Sequence, residues 1–193
     1  VEFRMDLAAD PVEQLAAYDG DLPLLATNRP AWEGGEVDGS TEAAEAPRLE
    51  TLEAALGNDA VEAVDLELAA LRRDGRAVEV AEEADRLGVD VVVSVHDFSG
   101  TPSERAMTSL LSAAASAGDV GKLAVTAEDR EDALALLSAT HTVDAAGERV
   151  ATMAMGEAGR HTRAVAPVYG SKIGYAPVDA EAATAPGQYD LKT

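Results

Sequence analysis

Lys122 is the residue of this chain whose type and position most call for a chemical explanation. Only three of the 15 basic residues are lysines, and Lys122 lies in the short apolar run GKLAVTA. The alternation of a β-strand places its side chain on the same face as Ala124 and Thr126. An isolated ammonium group inside a buried strand is costly, so this lysine is expected to be paired or functional. The functional interpretation is a Schiff-base nucleophile, and the structural one is a packed stem whose amine reaches solvent or a carboxylate.

His96 is the candidate for proton transfer. It follows the apolar run VVVSV and precedes Asp97, so it is expected where a buried strand opens toward a site. Histidine is the side chain best suited to moving protons near neutral pH, although a single histidine is also often structural. The other two histidines, His141 and His161, are expected at the surface near helix ends.

Three arginines offer charged groups for an acidic substrate. Arg4 and Arg29 follow apolar runs, and Arg163 is expected at the start of a helix. Their planar guanidinium groups suit carboxylate binding, whereas salt bridges within so acidic a chain are the alternative, favoured for Arg163. Glu33 lies in the loop after Arg29, followed by two glycines that would let the backbone approach a ligand.

Short β-type runs alternate with Ala-rich amphipathic stretches along the whole chain, which is typical of an α/β fold. Helices are predicted over residues 10–18, 42–57, 74–87, 103–117, 128–140 and 160–169. Seven strand-like runs begin near Val1, Leu22, Ala63, Val89, Val120, Arg149 and Lys172.

Two architectures fit this alternation, an open doubly wound sheet and a closed barrel. The continuous apolar run VVVSV indicates parallel strands covered by helices on both faces. No GxGxxG or GxxxxGKS loop follows a strand, whereas polar residues follow many strands, as in barrels. We therefore predict a (β/α)₈ TIM barrel that forms a single domain over residues 1–193. Because seven strands do not complete this barrel and the chain begins inside a strand, we expect it to lack the first βα unit and the last helix.

The composition excludes several classes of partner. The 36 acidic and 15 basic residues give a formal charge of −21 at pH 7, and nucleic acids and anionic membranes require a basic surface instead. No apolar run is long enough to span a membrane, we expect no secretory signal, and the absence of cysteine excludes thiolate chemistry. We predict a cytoplasmic protein, and its acidity with few lysines is typical of salt-accumulating cells.

Seven segments carry a resemblance to a known family: VEFRMD, PLLATNRPAWEGGE, VDLEL, VVVSVHDF, KLAVTA, MAMGEAGRHTR and APGQ. In this order and at these spacings they resemble type I 3-dehydroquinate dehydratase over nearly the whole chain. The joint occurrence of EFR, NRxxxEGG, HDF and KLAV is highly specific, although each motif alone is weak. The resemblance implies a homodimeric (β/α)₈ lyase of the shikimate pathway. Such an enzyme removes water from 3-dehydroquinate through a covalent imine, with no metal or organic cofactor.

The resemblance also implies roles for single residues. Lys122 matches the Schiff-base lysine, His96 the proton donor and acceptor, and Glu33 the carboxylate that partners this histidine. Thr184 stands where the family usually carries serine, so the hydroxyl is kept and a tighter fit is expected. The substrate-binding groups implied by position are Glu2, Arg4, Arg29, Arg163, Thr184 and Gln188.

Three other functions remain open from the residues alone. A Schiff-base aldolase acting on a sugar phosphate would need a phosphate cradle, and no convincing glycine-rich turn follows the last strands. A metal-dependent isomerase or hydrolase would use Glu2, Glu67, His96 and Asp97. This set is a poor match for zinc and a better one for magnesium or manganese. A non-catalytic ligand-binding barrel is the third alternative, and the presence of both Lys122 and His96 argues against it.

Overall fold

The computed structural model of the chain describes residues 1–73, 75–179, 181, 185 and 187–192, apart from the side chain of Glu42. Thr184, which the sequence predicts to bind substrate, lies outside the described residues. No helix within the described residues has the length and apolar character that a membrane crossing needs.

The predicted α/β class is confirmed by a six-stranded sheet. Its strands are β1 Glu2–Arg4, β2 Leu24–Thr27, β3 Val61–Glu67, β4 Asp90–Asp97, β5 Val120–Thr126 and β6 Val150–Met155. They are neighbours in chain order, and the pairs β1/β2, β2/β3 and β5/β6 are parallel. The carboxyl ends of parallel strands lie at one edge of a sheet. The polar residues of the sequence motifs lie at or just after these strand ends.

Helices and 3₁₀ turns connect these strands. The helices are α1 Pro11–Ala16, α2 Glu42–Ala55, α3 Leu68–Arg73, α4 Gly75–Leu87, α5 Glu104–Ala115, α6 Arg130–Ala145, α7 Gly156–Gly159 and α8 Thr162–Val165. The 3₁₀ turns are Met5–Leu7, Ala31–Glu33 and Ala166–Tyr169. Helix α3 was not predicted, because its first residue continues the apolar run of β3. The predicted helix over 160–169 is wrong as one element, since α8 ends before Pro167 and a 3₁₀ turn follows.

The packing divides the chain into two units, Val1–Val93 and Ser94–Thr193. In the first unit α2 packs against β2 and α4 against β3. In the second unit α5 and α6 cover β5 and β6 around a core that includes Met107, Leu123 and Leu136. The prediction of one domain over 1–193 stays a prediction.

The two faces of β5 differ as the alternation predicts. Leu123 and Val125 belong to the core beneath α5 and α6, whereas Ala124 on the opposite face packs with Met153 and Met155. Lys122 precedes Ala124 by two residues and is therefore expected on the same face of β5, and in the parallel pairing with β6 it lies opposite Ala151. This is the face of β5 that α5 and α6 do not cover.

Gly121 lets α5 lie directly against the start of β5. A Cβ at this position would come 2.5 Å from the amide nitrogen of Ala115 and 2.8 Å from the carbonyl oxygen of Leu111. Real Cβ atoms do not approach backbone atoms so closely. The residue before Lys122 is thus fixed in type by the helix behind it.

The predicted seventh strand, beginning near Lys172, is wrong. Among the described residues, the sheet is continued only by a bridge between Ser171 and Val150 and by a bond from Lys172 N to the Val150 carbonyl oxygen, at 2.7 Å. The backbone N–H of Thr152 donates to the hydroxyl oxygen of Ser171 at 2.9 Å. In a seventh strand, a backbone carbonyl would accept this hydrogen bond instead. The run also contains Pro177, which has no N–H to donate to a neighbouring strand.

Candidate active site

Arg29 is held by carboxylates at the carboxyl ends of the strands in the first unit. It follows β2 and is 4% exposed. Its Nη1 lies 2.6 Å from Glu67 Oε1 and its Nη2 lies 2.7 Å from Asp65 Oδ1, both on β3. Glu33 Oε2 is 3.8 Å from the same Nη1. The salt-bridge alternative therefore describes Arg29 in this structure, and its role toward substrate stays a prediction.

Burial and charge oppose each other in this cluster. Burial lowers the pKa of Arg29, but the carboxylates of Asp65, Glu67 and Glu33 raise it by more, so its pKa lies above the ordinary value. Burial raises the pKa of Glu67, and Arg29 and Arg48 offset only part of this rise. Arg29 thus stays a fixed positive charge.

Glu2 and Arg4 lie on β1 and are also paired. Arg4 donates to Asp6 through two bonds, Nε to Oδ1 at 2.7 Å and Nη2 to Oδ2 at 2.6 Å. Thr27 Oγ1 donates to Glu2 Oε1 at 2.9 Å. Asp6 also accepts from the backbone N–H of Arg29 at 3.3 Å, so it ties the end of β1 to the loop after β2. Sequence reasoning missed Asp6, although it directly follows the EFR motif.

The loop that carries Glu33 turns back on Arg29. Glu33 ends the 3₁₀ turn and is buried, and Gly34 follows in the left-handed region at φ 80°. A Cβ at Gly35 would overlap the Arg29 backbone carbonyl. In this structure the second glycine therefore permits a close approach to the protein's own backbone rather than to a ligand.

Lys122 is the corresponding buried cation of the second unit. It is 3% exposed. Its Nζ donates to the hydroxyl of Tyr175 at 3.4 Å and lies 4.9 Å from the centroid of that ring. Tyr175 packs with Met153 and Met155 of β6. Tyr175 lies in the run predicted as a seventh strand, and its contact with Lys122 was not predicted, because no periodic pattern links positions 122 and 175.

His96 is half-buried near the end of β4, as predicted. Its ring stacks on Phe98 with the centroids 6.1 Å apart. Asp97 serves the turn after the strand, since its Oδ1 accepts from Ser99 N at 2.9 Å. Thr126 Oγ1 donates to the Asp97 carbonyl oxygen at 3.2 Å, which fixes the backbone beside His96 to the end of β5. His141 and His161 are exposed, as predicted.

The metal-dependent alternative finds little support in these contacts. Glu67 is bound by two arginines, and Asp97 caps its own turn. Across the described ranges, no group of three or more His, Cys, Asp or Glu side chains is arranged to hold a metal ion.

Arg163 and Gln188 lie in the second unit with Lys122. Arg163, on α8, lines a small cavity together with Met153 and Tyr175, so Tyr175 is a neighbour of both Arg163 and Lys122. Burial lowers its pKa. Gln188 Oε1 accepts from Ala185 N at 3.3 Å. Gly187, the residue before Gln188, lies close to the carboxyl end of β6. A Cβ added at Gly187 would lie 2.9 Å from the Gly156 carbonyl oxygen.

This arrangement suits an imine-forming reaction. A buried amine stands beside the ring of Tyr175, a half-buried imidazole lies in the same unit, and the guanidinium of Arg163 lines a small cavity with the same tyrosine. An amine can attack a carbonyl carbon only in its neutral form, and apolar surroundings favour that form.

Comparison with known proteins agrees with this chemistry. The family model of type I 3-dehydroquinase matches residues 1–193. The 3-dehydroquinate dehydratase of Haloarcula marismortui is 60% identical over 195 residues, covering all of this chain and 83% of that protein. That of Halobacterium salinarum is 56% identical over 192 residues, covering 98% of this chain and 82% of that protein. The crystal structure of 3-dehydroquinate dehydratase from Geobacillus kaustophilus has a TM-score of 0.84 and 30% identity, covering 99% and 76% of the two chains.

Proposed function

Because the chain belongs to the type I 3-dehydroquinate dehydratases, hydro-lyases of the shikimate pathway, we propose that Lys122 is the amine that forms the Schiff base. The observation that carries this proposal is its burial. All three lysines lie in the described part of the chain, and Lys172 and Lys192 are exposed and paired with Asp144 and Asp179. Lys122 is 3% exposed, and its amine lies beside the ring of Tyr175.

The reaction then follows from the electron demand of an imine. Neutral Lys122 attacks the C3 carbonyl carbon of 3-dehydroquinate, and proton transfers through His96 let the carbonyl oxygen leave as water. The cationic imine acidifies C2, and His96 removes a proton there to give an enamine. The enamine expels the C1 hydroxyl, which leaves as water with the proton from His96. Addition of one water to the imine releases 3-dehydroshikimate, so the net change is the loss of one water.

The other site residues are proposed to hold the substrate and the imidazole. Arg163 binds the substrate carboxylate, which its position across a cavity from Tyr175 supports. Glu33 orients His96 and stabilises its charged form. Hydroxyl groups and other oxygens of the substrate are bound by Glu2, Arg4, Arg29, Thr184 and Gln188.

Reductive trapping tests the proposed nucleophile. Borohydride reduction of the protein with 3-dehydroquinate at high salt converts an imine into a stable amine, which intact-mass spectrometry detects. We expect an adduct on the wild-type chain and on the matched control Lys172→Ala, and none on Lys122→Ala. An adduct that persists in folded Lys122→Ala would overturn the assignment of Lys122.

Four broader features are proposed with this function. We infer that the parallel sheet belongs to a (β/α)₈ barrel, as the family resemblance implies, and that the enzyme is a cytoplasmic homodimer from a halophilic source. The haloarchaeal relatives support the halophilic source.

The charge of −21 predicts a dependence of activity on salt. Salt screens the repulsion among surface carboxylates and between these carboxylates and an anionic substrate. At 1 M salt the Debye screening length is about 3 Å, so charges farther apart than this interact weakly. We expect activity to rise with potassium chloride up to molar concentrations, measured by the absorbance of the conjugated product. An optimum at low salt would contradict the halophilic assignment.

A further inference from the structure

Arg48 lies at the centre of a buried charge cluster that the proposed reaction does not use. It is fully buried on α2, and its Nη2 lies 2.9 Å from Glu67 Oε2 and also contacts Glu45. Its Nη1 donates to the backbone carbonyl oxygen of Asn28 at 2.6 Å. In return, Asn28 Nδ2 donates to the Arg48 carbonyl oxygen at 3.0 Å.

Two of these contacts lead directly to Arg29. Asn28 is the residue before Arg29, so its carbonyl belongs to the peptide group that carries the Arg29 nitrogen. Glu67 binds Arg48 through Oε2 and Arg29 through Oε1, the latter at 2.6 Å. Arg48 therefore restrains Arg29 twice, once through the backbone and once through a shared carboxylate.

The charges of the cluster make this restraint sensitive to loss. Two buried guanidinium groups, of Arg29 and Arg48, serve the carboxylates of Glu33, Glu45, Asp65 and Glu67, and the more exposed Arg73 adds a longer contact of 3.9 Å to Glu45. A buried carboxylate that loses its partner is strongly destabilised and seeks another. Without Arg48, Glu67 would depend on Arg29 alone and Glu45 on the distant Arg73, or the two carboxylates would take up protons.

We propose that Arg48 is a positioning residue that sets the place of the Arg29 guanidinium in the site. It acts without touching substrate, and the inference rests on the proposed role of Arg29 in substrate binding. Arg48 lies three residues after Glu45 on α2, and it couples that helix to the end of β2.

A double-mutant cycle tests this coupling. KM and kcat are measured at high salt for Arg48→Met, Arg29→Met and the double variant. We expect Arg48→Met to raise KM about tenfold while kcat changes by less than about threefold, because a misplaced group weakens substrate binding. In the Arg29→Met background the same change should alter KM by less than about twofold, since coupled residues are not additive.

Two further variants separate positioning from loss of fold. Arg76→Met is the matched control, because Arg76 on α4 also pairs with a carboxylate of α2, that of Glu53, outside the cluster. It should leave KM unchanged. Arg48→Lys keeps the charge, but one amine cannot replace the fork that reaches both Asn28 and Glu67, so KM should lie between those of wild type and Arg48→Met. If Arg48→Met does not fold, Arg48→Lys takes its place in the cycle.

The outcomes distinguish this inference from the proposed function. Additive increases in KM, or a loss confined to kcat, would overturn the positioning role of Arg48. If Arg29→Met leaves KM unchanged, the role of Arg29 in binding fails, and the inference fails with it. A large effect of Arg29→Met with none for Arg48→Met overturns the inference alone.

Discussion

Arg29 and Lys122 are both almost completely buried cations, one in each unit, and their surroundings differ in kind. Arg29 binds the carboxylates of Asp65 and Glu67, whereas the amine of Lys122 lies against the ring and hydroxyl of Tyr175. Carboxylates hold a cation in its charged form, which a guanidinium keeps in any case. An aromatic ring attracts an ammonium group more weakly than a carboxylate does.

The largest expected effect that separates the two cations is on stability. Arg29→Met leaves the buried carboxylates of Asp65 and Glu67 without this partner, and the free energy of unfolding should fall by about 3–5 kcal/mol. Lys122→Met places an unbranched thioether beside the ring of Tyr175, and the change should be less than about 1.5 kcal/mol. Denaturant unfolding at high salt, followed by circular dichroism, measures both.

Lys172→Met is the control for removal of a lysine, because Lys172 is exposed and pairs with Asp144. Its removal should change the free energy of unfolding by less than about 1 kcal/mol. If Lys122→Met costs as much as Arg29→Met, then charge holds Lys122 too, and the comparison breaks.

A smaller effect concerns Tyr175, which the comparison makes the main neighbour of the amine. Tyr175→Phe removes only the hydroxyl and should lower kcat about threefold, whereas Tyr175→Leu also removes the ring and should lower it about tenfold. Steady-state kinetics measure the first effect, and the yield of borohydride trapping checks that the imine still forms. Tyr169→Phe, at a partly exposed tyrosine, should leave both unchanged.

This ordering would be reversed if the hydroxyl carried a proton in the reaction. A loss of more than about a hundredfold for Tyr175→Phe would assign proton transfer to the phenol, since general acid–base catalysis contributes that much or more. The aromatic ring would then no longer be the feature that distinguishes the site of Lys122.

The smallest expected effect is the acid sensitivity of the first unit. Burial raises the pKa of Asp6, but the hydrogen bond and charge of Arg4, together with the backbone N–H groups of Arg29 and Glu36, lower it by more, so its pKa lies below the ordinary 3.8. A lowered pKa contributes stability that is present above 3.8 and is lost as the pH falls through the lower value of the folded state. Asp6→Asn should therefore reduce this acid-dependent loss, measured as the free energy of unfolding from neutral pH to about pH 2.

Asp10→Asn provides the comparison for this titration, because Asp10 is exposed and makes no capping bond through its side chain. It should leave the pH dependence of unfolding as in wild type. If the free energy of unfolding of Asp6→Asn falls at low pH as much as that of wild type, then the pairing of Asp6 with Arg4 does not contribute to the acid sensitivity of the first unit.

Local pattern was sufficient to predict much of the fold. The positions of the six strands and the face of Lys122 follow from apolar runs and from the period of two, which neighbouring residues encode. The seventh strand failed because an apolar run does not reveal whether a partner strand accepts its backbone bonds. The hydroxyl of Ser171, and not the carbonyl of a seventh strand, accepts the hydrogen bond from the backbone N–H of Thr152. This contact joins residues far apart in the chain.

The candidate site was predictable in its residue types and not in its partners. Lys122, His96 and Arg29 stand out by type and by their places along strands. Arg48 does not, because Glu45 and Arg48 at a spacing of three on a helix look like an ordinary surface ion pair. Only the packing of α2 against β2 shows that this pair is buried. Burial of a charged residue depends on long-range contacts, which sequence spacing does not carry.

Gly121 has a consequence for how this sequence can change over time. Its nearest obstacles are backbone atoms of Leu111 and Ala115, so no smaller side chain elsewhere on α5 would make room for a Cβ. A mutation to any other residue must move either the helix or the strand that carries Lys122. Any sequence that keeps α5 at this depth against β5 must therefore keep glycine at this position, whatever else changes around it.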